Sequence, residues 1–115
     1  MREPVLLDHA GAWRVYLGGS RIRALRGDTA PMDDHFPEEW IASVVEAAGL
    51  GASPGDGLSR LREAPFSTLR SVIAEAPEAW LGEDFVRRHG ADCGVLLKLL
   101  DAAERLNVQI HPTRK

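Results

Sequence analysis

The chain has 115 residues, 44% hydrophobic and 27% charged, with a net charge of −3 and a pI near 5.8. That suits one small soluble domain with a modest core. It excludes the basic face needed to displace counterions from nucleic acid or to settle on acidic lipid, and no apolar run approaches the roughly 20 residues of a membrane span.

The start, MREPVLLDHAGAW, lacks the basic opening and long apolar stretch of a secretory signal. Within it, PVLLD reads as a short strand. In LGGSRIRALRG, Gly18 and Gly19 break the chain, Ser20 can cap, and Ile22 and Leu25 face inward from a short helix ending near Gly27. GDTAPMDDHFPEE is loop, with two prolines, a Gly-Asp pair and an acidic cluster. The Asp33-Asp34-His35 run has metal-type residues, but in a proline-broken loop it reads as a solvated acidic turn.

WIASVVEA, residues 40–47, is rich in β-branched and aromatic residues and reads as a strand buried on both faces. AGLGASPGDGLSRL is a glycine-rich connection. A helical insert spans about residues 66–90. Its first helix is capped by Ser67 or Thr68, buries Leu69, Val72, Ile73 and Ala76, and ends at Pro77. PEAWLGEDFVRRHG continues it as one or two short helices closed by Gly90.

One cysteine, Cys93, precludes an internal disulfide; the expectation is a buried, inert thiol in a reducing, cytoplasmic setting. The last segment changes period. CGVLLKLLD and RLNVQIHP are two apolar runs that should pair as an antiparallel hairpin. The expected fold is α+β: a single domain over residues 1–115, strand-rich at both ends, with helices between.

The polar residues of this last segment carry the chemistry. In a strand Asn107, Gln109 and His111 share one face, and Lys98 stands inside a run of leucines. Burying such groups unpaired costs several kcal/mol, so a partner, ligand or metal must meet them. Gln109 and His111, two apart, stand about 7 Å from each other at the backbone and can converge on one ion. The histidine suits zinc and the amide is a weaker ligand. The plain alternative is a satisfied histidine and a surface glutamine.

LLKLLDAAERLNVQIHP resembles the (L/F)-(L/V)-K-x-L-(D/S)-A…L-S-(V/I)-Q-x-H-P segment of type I mannose-6-phosphate isomerases, which are zinc-dependent cupin-fold aldose–ketose isomerases. EEW at 38–40 is similar to that family's E-x-W strand, DGLSRL at 56–61 to its glycine-rich turn, and FSTLRSVIAEAPEAWLG at 66–82 to its helical insert. The resemblance implies a partial cupin or jelly-roll antiparallel β-structure and the amino-terminal portion of such an isomerase. It implies interconversion of mannose 6-phosphate and fructose 6-phosphate through an enediol.

By position, Gln109 and His111 resemble the first two zinc ligands. Lys98, Asn107 (where the family has Ser) and Glu38 match residues lining the sugar-phosphate pocket, and Trp13 matches an early tryptophan. The further glutamate and histidine ligands, the acid/base groups and a phosphate-holding arginine have no counterpart here, so the 115 residues alone are expected to be inactive. Open sheet edges would then favour self-association or strand exchange. Each residue also has an ordinary reading: Trp13 and Trp40 as core aromatics, Glu38 as a solvated strand end, Lys98 with its ammonium at a sheet edge. Two other functions compete: a non-catalytic sugar-phosphate-binding or regulatory cupin-like module, and an interaction protein using its hairpin edge.

Overall fold

The computed structural model describes residues 3–108 and 110. Gln109 and His111, the two expected zinc ligands, therefore lie outside the described residues.

Among the described residues there are two antiparallel sheets and four helices, an α+β fold. The central sheet has three strands: β1 (Gly11–Ala12), β2 (Glu38–Ile41) and β5 (Leu97–Leu100), in the order β1-β2-β5. Strand β2 pairs antiparallel with both neighbours, Glu38 opposite Leu100 and Trp40 opposite Lys98. A smaller sheet joins β3 (Arg60–Leu61) to β4 (Ala64–Thr68). The helices are α1 (Ser20–Leu25), α2 (Leu69–Glu75), α3 (Pro77–Leu81) and α4 (Glu83–His89).

Helix α1 follows two glycines, as the sequence suggests, but Ser20 does not cap it. The N-cap is Gly19, and no side chain at that position caps the helix. Its first amides are taken instead from a distance: Ser20 N donates to Asp33 Oδ1 at 3.0 Å and Arg21 N to Asp101 Oδ2 at 2.8 Å. Carboxylates at a helix start satisfy the orphan amides and suit the dipole. The helix thereby pins the loop after it and the segment after β5.

Helix α2 starts where expected. Thr68 Oγ1 accepts from Ser71 N at 3.1 Å while Thr68 N donates to Ser71 Oγ at 3.0 Å, a reciprocal cap. Leu69 and Ile73 are buried, and Pro77 opens α3 rather than merely ending α2. The three helices together run from Leu69 to His89, preceded by a strand through Phe66 and Ser67.

Four expectations give way. PVLLD forms only an isolated bridge, Leu7 to Leu61. The strand expected at 40–47 runs from Glu38 to Ile41 and stops because Ala42 turns to φ 48°. Among the described residues the terminal hairpin is not formed: β5 pairs with β2 and residues 101–108 form no strand, while Gln109, His111 and Pro112 of RLNVQIHP lie outside the described residues. Short apolar runs do not name their partner; here β2 supplies a counter-charge for Lys98. Cys93 is half-buried rather than sealed in a core.

The core gathers Ala10, Ala12, Trp40 and Ala47. Gly57 lets the chain pass against the Trp40 ring. It has φ +81°, and a Cβ there would fall 2.6 Å from Trp40 Cε3. Close packing of this kind holds Trp40 in one orientation.

Candidate functional site

Alternation in β2 sends Glu38 and Trp40 to one face of the sheet and Glu39 and Ile41 to the other. Directly paired residues share a face. Lys98 and Leu100 of β5 therefore join Glu38 and Trp40, whereas Leu97 and Leu99 lie with Glu39. The leucine-flanked Lys98 is explained by this register: its ammonium lies 3.3 Å from Glu38 Oε2 and 5.9 Å from the Trp40 ring centroid.

Glu38 is the hub. Tyr16 donates its hydroxyl to Oε1 at 2.6 Å, and Trp40 donates Nε1–H to Oε2 at 2.8 Å. Arg14 forks onto both oxygens, at 3.1 Å from Nε and 3.3 Å from Nη2. The Arg14 guanidinium also stands 5.2 Å from the Trp40 ring centroid. The Glu38 side chain is only 4% exposed. Burial by itself raises its pKa, but the hydrogen bonds from Tyr16, Trp40 and Arg14, with the Arg14 charge, outweigh burial and bring it to about 2. Burial, the hydrogen bond to Glu38 and the Glu38 charge push Tyr16 upward, so its proton stays on the phenol.

A carboxylate in this state is a fixed anion that organises its donors. It is a poor general base, because its lone pairs are occupied and its basicity is low.

Around the hub opens a cleft of about 740 Å³, whose charged lining is Arg14, Glu38, Lys98, Glu104 and Arg105. Tyr16 and Asn107 complete its polar wall. The segment carrying Glu104 to Asn107 is anchored just before it, where Ala103 N donates to Leu17 O at 2.9 Å and Gly19 N to Asp101 O at 2.9 Å.

Three of the residues singled out in the sequence thus come together: Glu38, Lys98 and Asn107. Trp13 is not among the described lining residues. It stacks on His35 with ring centroids 4.8 Å apart and backs onto Gly51, where a Cβ would fall 2.4 Å from Trp13 Cε3. His35 Nδ1 is in turn 2.8 Å from Arg14 O, so this stack steadies the backbone of Arg14. His35 is accordingly not part of a freely solvated turn, while Asp34 pairs with Arg23 at 2.6 Å.

Sequence reasoning passed over Arg14 and Tyr16. In WRVYLGG they stand two apart just after β1, and that spacing by itself does not name the carboxylate they meet.

A family model, phosphomannose isomerase type I, catalytic domain, matches residues 12–115. The chain belongs to the phosphomannose isomerase type I family. No curated protein and no solved structure shows a significant match. The phosphomannose isomerase match runs from Ala12, the second residue of β1, through β5 and takes in the cleft and the Q-x-H-P segment.

Among the described residues no group of three or more His, Cys, Asp and Glu side chains forms a metal site. Glu38 has its oxygens filled by donors, and Asp33 and Asp34 are engaged with α1 and Arg23. The two residues that the resemblance assigns to zinc, Gln109 and His111, lie outside the described residues. Among the described residues no helix is long and apolar enough to cross a membrane.

Proposed function

We propose that this chain carries the sugar-binding half of a mannose-6-phosphate isomerase site. The reaction moves a proton between C1 and C2 through an enediol, interconverting mannose 6-phosphate and fructose 6-phosphate. The observation that carries this reading is the convergence of Lys98, Asn107 and the Glu38 hub on one cleft within a chain of this family. Lys98 is 38% exposed at its side chain, so its ammonium can donate to sugar oxygens while Glu38 holds it in place. Asn107 offers both a donor and an acceptor to hydroxyls. Trp13 acts from behind, through His35 and the backbone of Arg14.

Gln109 and His111 are proposed as zinc ligands, in keeping with the Q-x-H-P resemblance. A bound metal would polarise the carbonyl and steady the developing oxyanion. Zinc titration followed by calorimetry tests this: His111→Ala and Gln109→Ala should each weaken binding about tenfold or more, and unchanged binding would remove zinc from the proposal. A cupin-type jelly roll, a cytoplasmic setting and self-association through open strand edges complete the reading. Sedimentation should show self-association that depends on concentration.

The 115 residues alone are expected to bind mannose 6-phosphate without turning it over, since the cleft supplies an anchor in Glu38 and, among the described residues, no matching base. A coupled assay of fructose 6-phosphate formation checks this. The saturated state of Glu38 also favours the second reading, a sugar-phosphate-binding module without catalysis. Binding of mannose 6-phosphate that is indifferent to zinc and to His111→Ala would select the module over the isomerase.

A further inference from the structure

The glycine-rich stretch GLGASPGDG, residues 49–57, is not among the described lining of the cleft, yet two tryptophans behind the cleft rest on it. Trp13 packs on Gly51 and Trp40 on Gly57. A Cβ at Gly51 would fall 2.5 Å from Trp13 Cζ3, and one at Gly57 would fall 2.7 Å from Trp40 Cζ3. Carbon atoms do not approach so closely, so any side chain at either position must displace the indole against it. The stretch is itself tied down. Gly57 N donates to Gly11 O at 3.0 Å, Ala47 N to Asp56 O at 2.7 Å and Gly55 N to Glu46 Oε1 at 2.7 Å. It therefore offers the two rings a fixed surface.

Each indole leads to one side of Glu38. Trp40 reaches it directly, with Nε1–H on Oε2 at 2.8 Å. Trp13 reaches it through two neighbours. Its ring stacks on His35. His35 and Arg14 are then clasped twice: Arg14 N donates to His35 O at 2.8 Å, and His35 Nδ1 lies 2.8 Å from Arg14 O. A carbonyl only accepts, so Nδ1 carries the proton. Arg14 in turn forks onto both oxygens of Glu38. Hydrogen bonds weaken steeply once misaligned, so a displaced ring is felt at the carboxylate.

We infer that Gly51 is a positioning residue of the cleft: it seats Trp13 and so, through His35 and Arg14, fixes one side of the Glu38 carboxylate, as Gly57 fixes the other through Trp40. The effect on Glu38 stands on this geometry alone. The effect on a ligand rests on the reading that the cleft takes a sugar phosphate.

The test compares wild type with Gly51→Ala, Gly49→Ala and His35→Phe. Gly49 has φ +116° and nothing within 4 Å of a Cβ, so Gly49→Ala brings backbone strain without touching an indole. His35→Phe keeps a ring against Trp13 and removes the N–H to Arg14 O. Magnetic resonance reads exchange of the Arg14 amide and titration of the Glu38 carboxyl, which faces Arg14, Tyr16, Trp40 and Lys98. Calorimetry reads affinity for mannose 6-phosphate. Gly51→Ala should speed exchange of the Arg14 amide, raise the Glu38 midpoint from about 2 towards the ordinary 4.5 and weaken the sugar phosphate. Gly49→Ala should do none of these. His35→Phe should also raise the midpoint, and it decides the matter if Gly51→Ala fails to fold. A wild-type midpoint retained in folded Gly51→Ala, or in His35→Phe, would overturn the assignment. So would an equal rise in Gly49→Ala. A raised midpoint in Gly51→Ala with unchanged affinity for mannose 6-phosphate would uphold the positioning role and sink the sugar reading of the cleft instead.

Discussion

Glu38 Oε2 and Lys98 Nζ lie 3.3 Å apart, joining residues sixty positions apart in sequence across β2 and β5. They are diagonal neighbours, because Glu38 pairs with Leu100 and Lys98 with Trp40. Such diagonals are within reach of a long side chain. This contact turns two oddities of the sequence, a glutamate at a buried strand start and a lysine among leucines, into one ion pair at the floor of a cleft.

Removing the hub's charge should be costly. Glu38→Gln leaves Arg14 and Lys98 beside a neutral amide in a buried place. The expected loss is about 3 kcal/mol of unfolding free energy, measured by urea denaturation at neutral pH. A change within experimental error would mean that the donors do not depend on the carboxylate.

The same carboxylate sets an acid limit. Its pKa falls on folding from 4.5 to about 2, so the folded state prefers the ionised form. The contribution is complete above pH 4.5 and fades as pH falls towards about 2. The stability difference between wild type and Glu38→Gln should therefore be constant above pH 5 or so and shrink through that acid window. A difference that instead grows on acidification would contradict the assignment.

Tyr16→Phe isolates one donor. Removing the hydroxyl takes away a 2.6 Å hydrogen bond to Glu38 Oε1. The Glu38 pKa should rise, as read by carboxyl carbon chemical shifts, and stability should fall by about 2 kcal/mol. An unmoved titration would show that Arg14 and Trp40 hold the carboxylate without Tyr16.

The α2 cap provides a control away from the cleft. Thr68→Ala should cost about 1 kcal/mol through loss of the bond to Ser71 N, with ligand binding unchanged. Weakened binding would imply that the helical insert communicates with the cleft.

Local patterns were legible in the sequence, and distant partnerships were not. Thr68, Leu69, Ile73 and Pro77 announce α2 because caps, spacing and a proline act within one or two turns. Gly18 and Gly19 announce α1, yet its capping carboxylates, Asp33 and Asp101, come from far along the chain. Lys98 signalled that a partner must exist without saying which. An apolar run such as LLKLL fits any strand, so the nearest run, RLNVQIHP, was the natural choice for a hairpin. The strand that holds β5 is β2, whose Glu38 gives Lys98 a charge to meet. Arg14 and Tyr16 went unread because an arginine and a tyrosine two apart gain meaning only when a buried carboxylate lies beside them.

The most direct test of the account is the affinity of the chain for mannose 6-phosphate before and after Lys98→Met, which keeps the apolar stem and removes the ammonium. Isothermal calorimetry should show binding by the wild type and a loss of about tenfold or more in the variant. Equal affinity in the two proteins, or no binding by the wild type, would contradict the placement of the sugar in the cleft around Glu38.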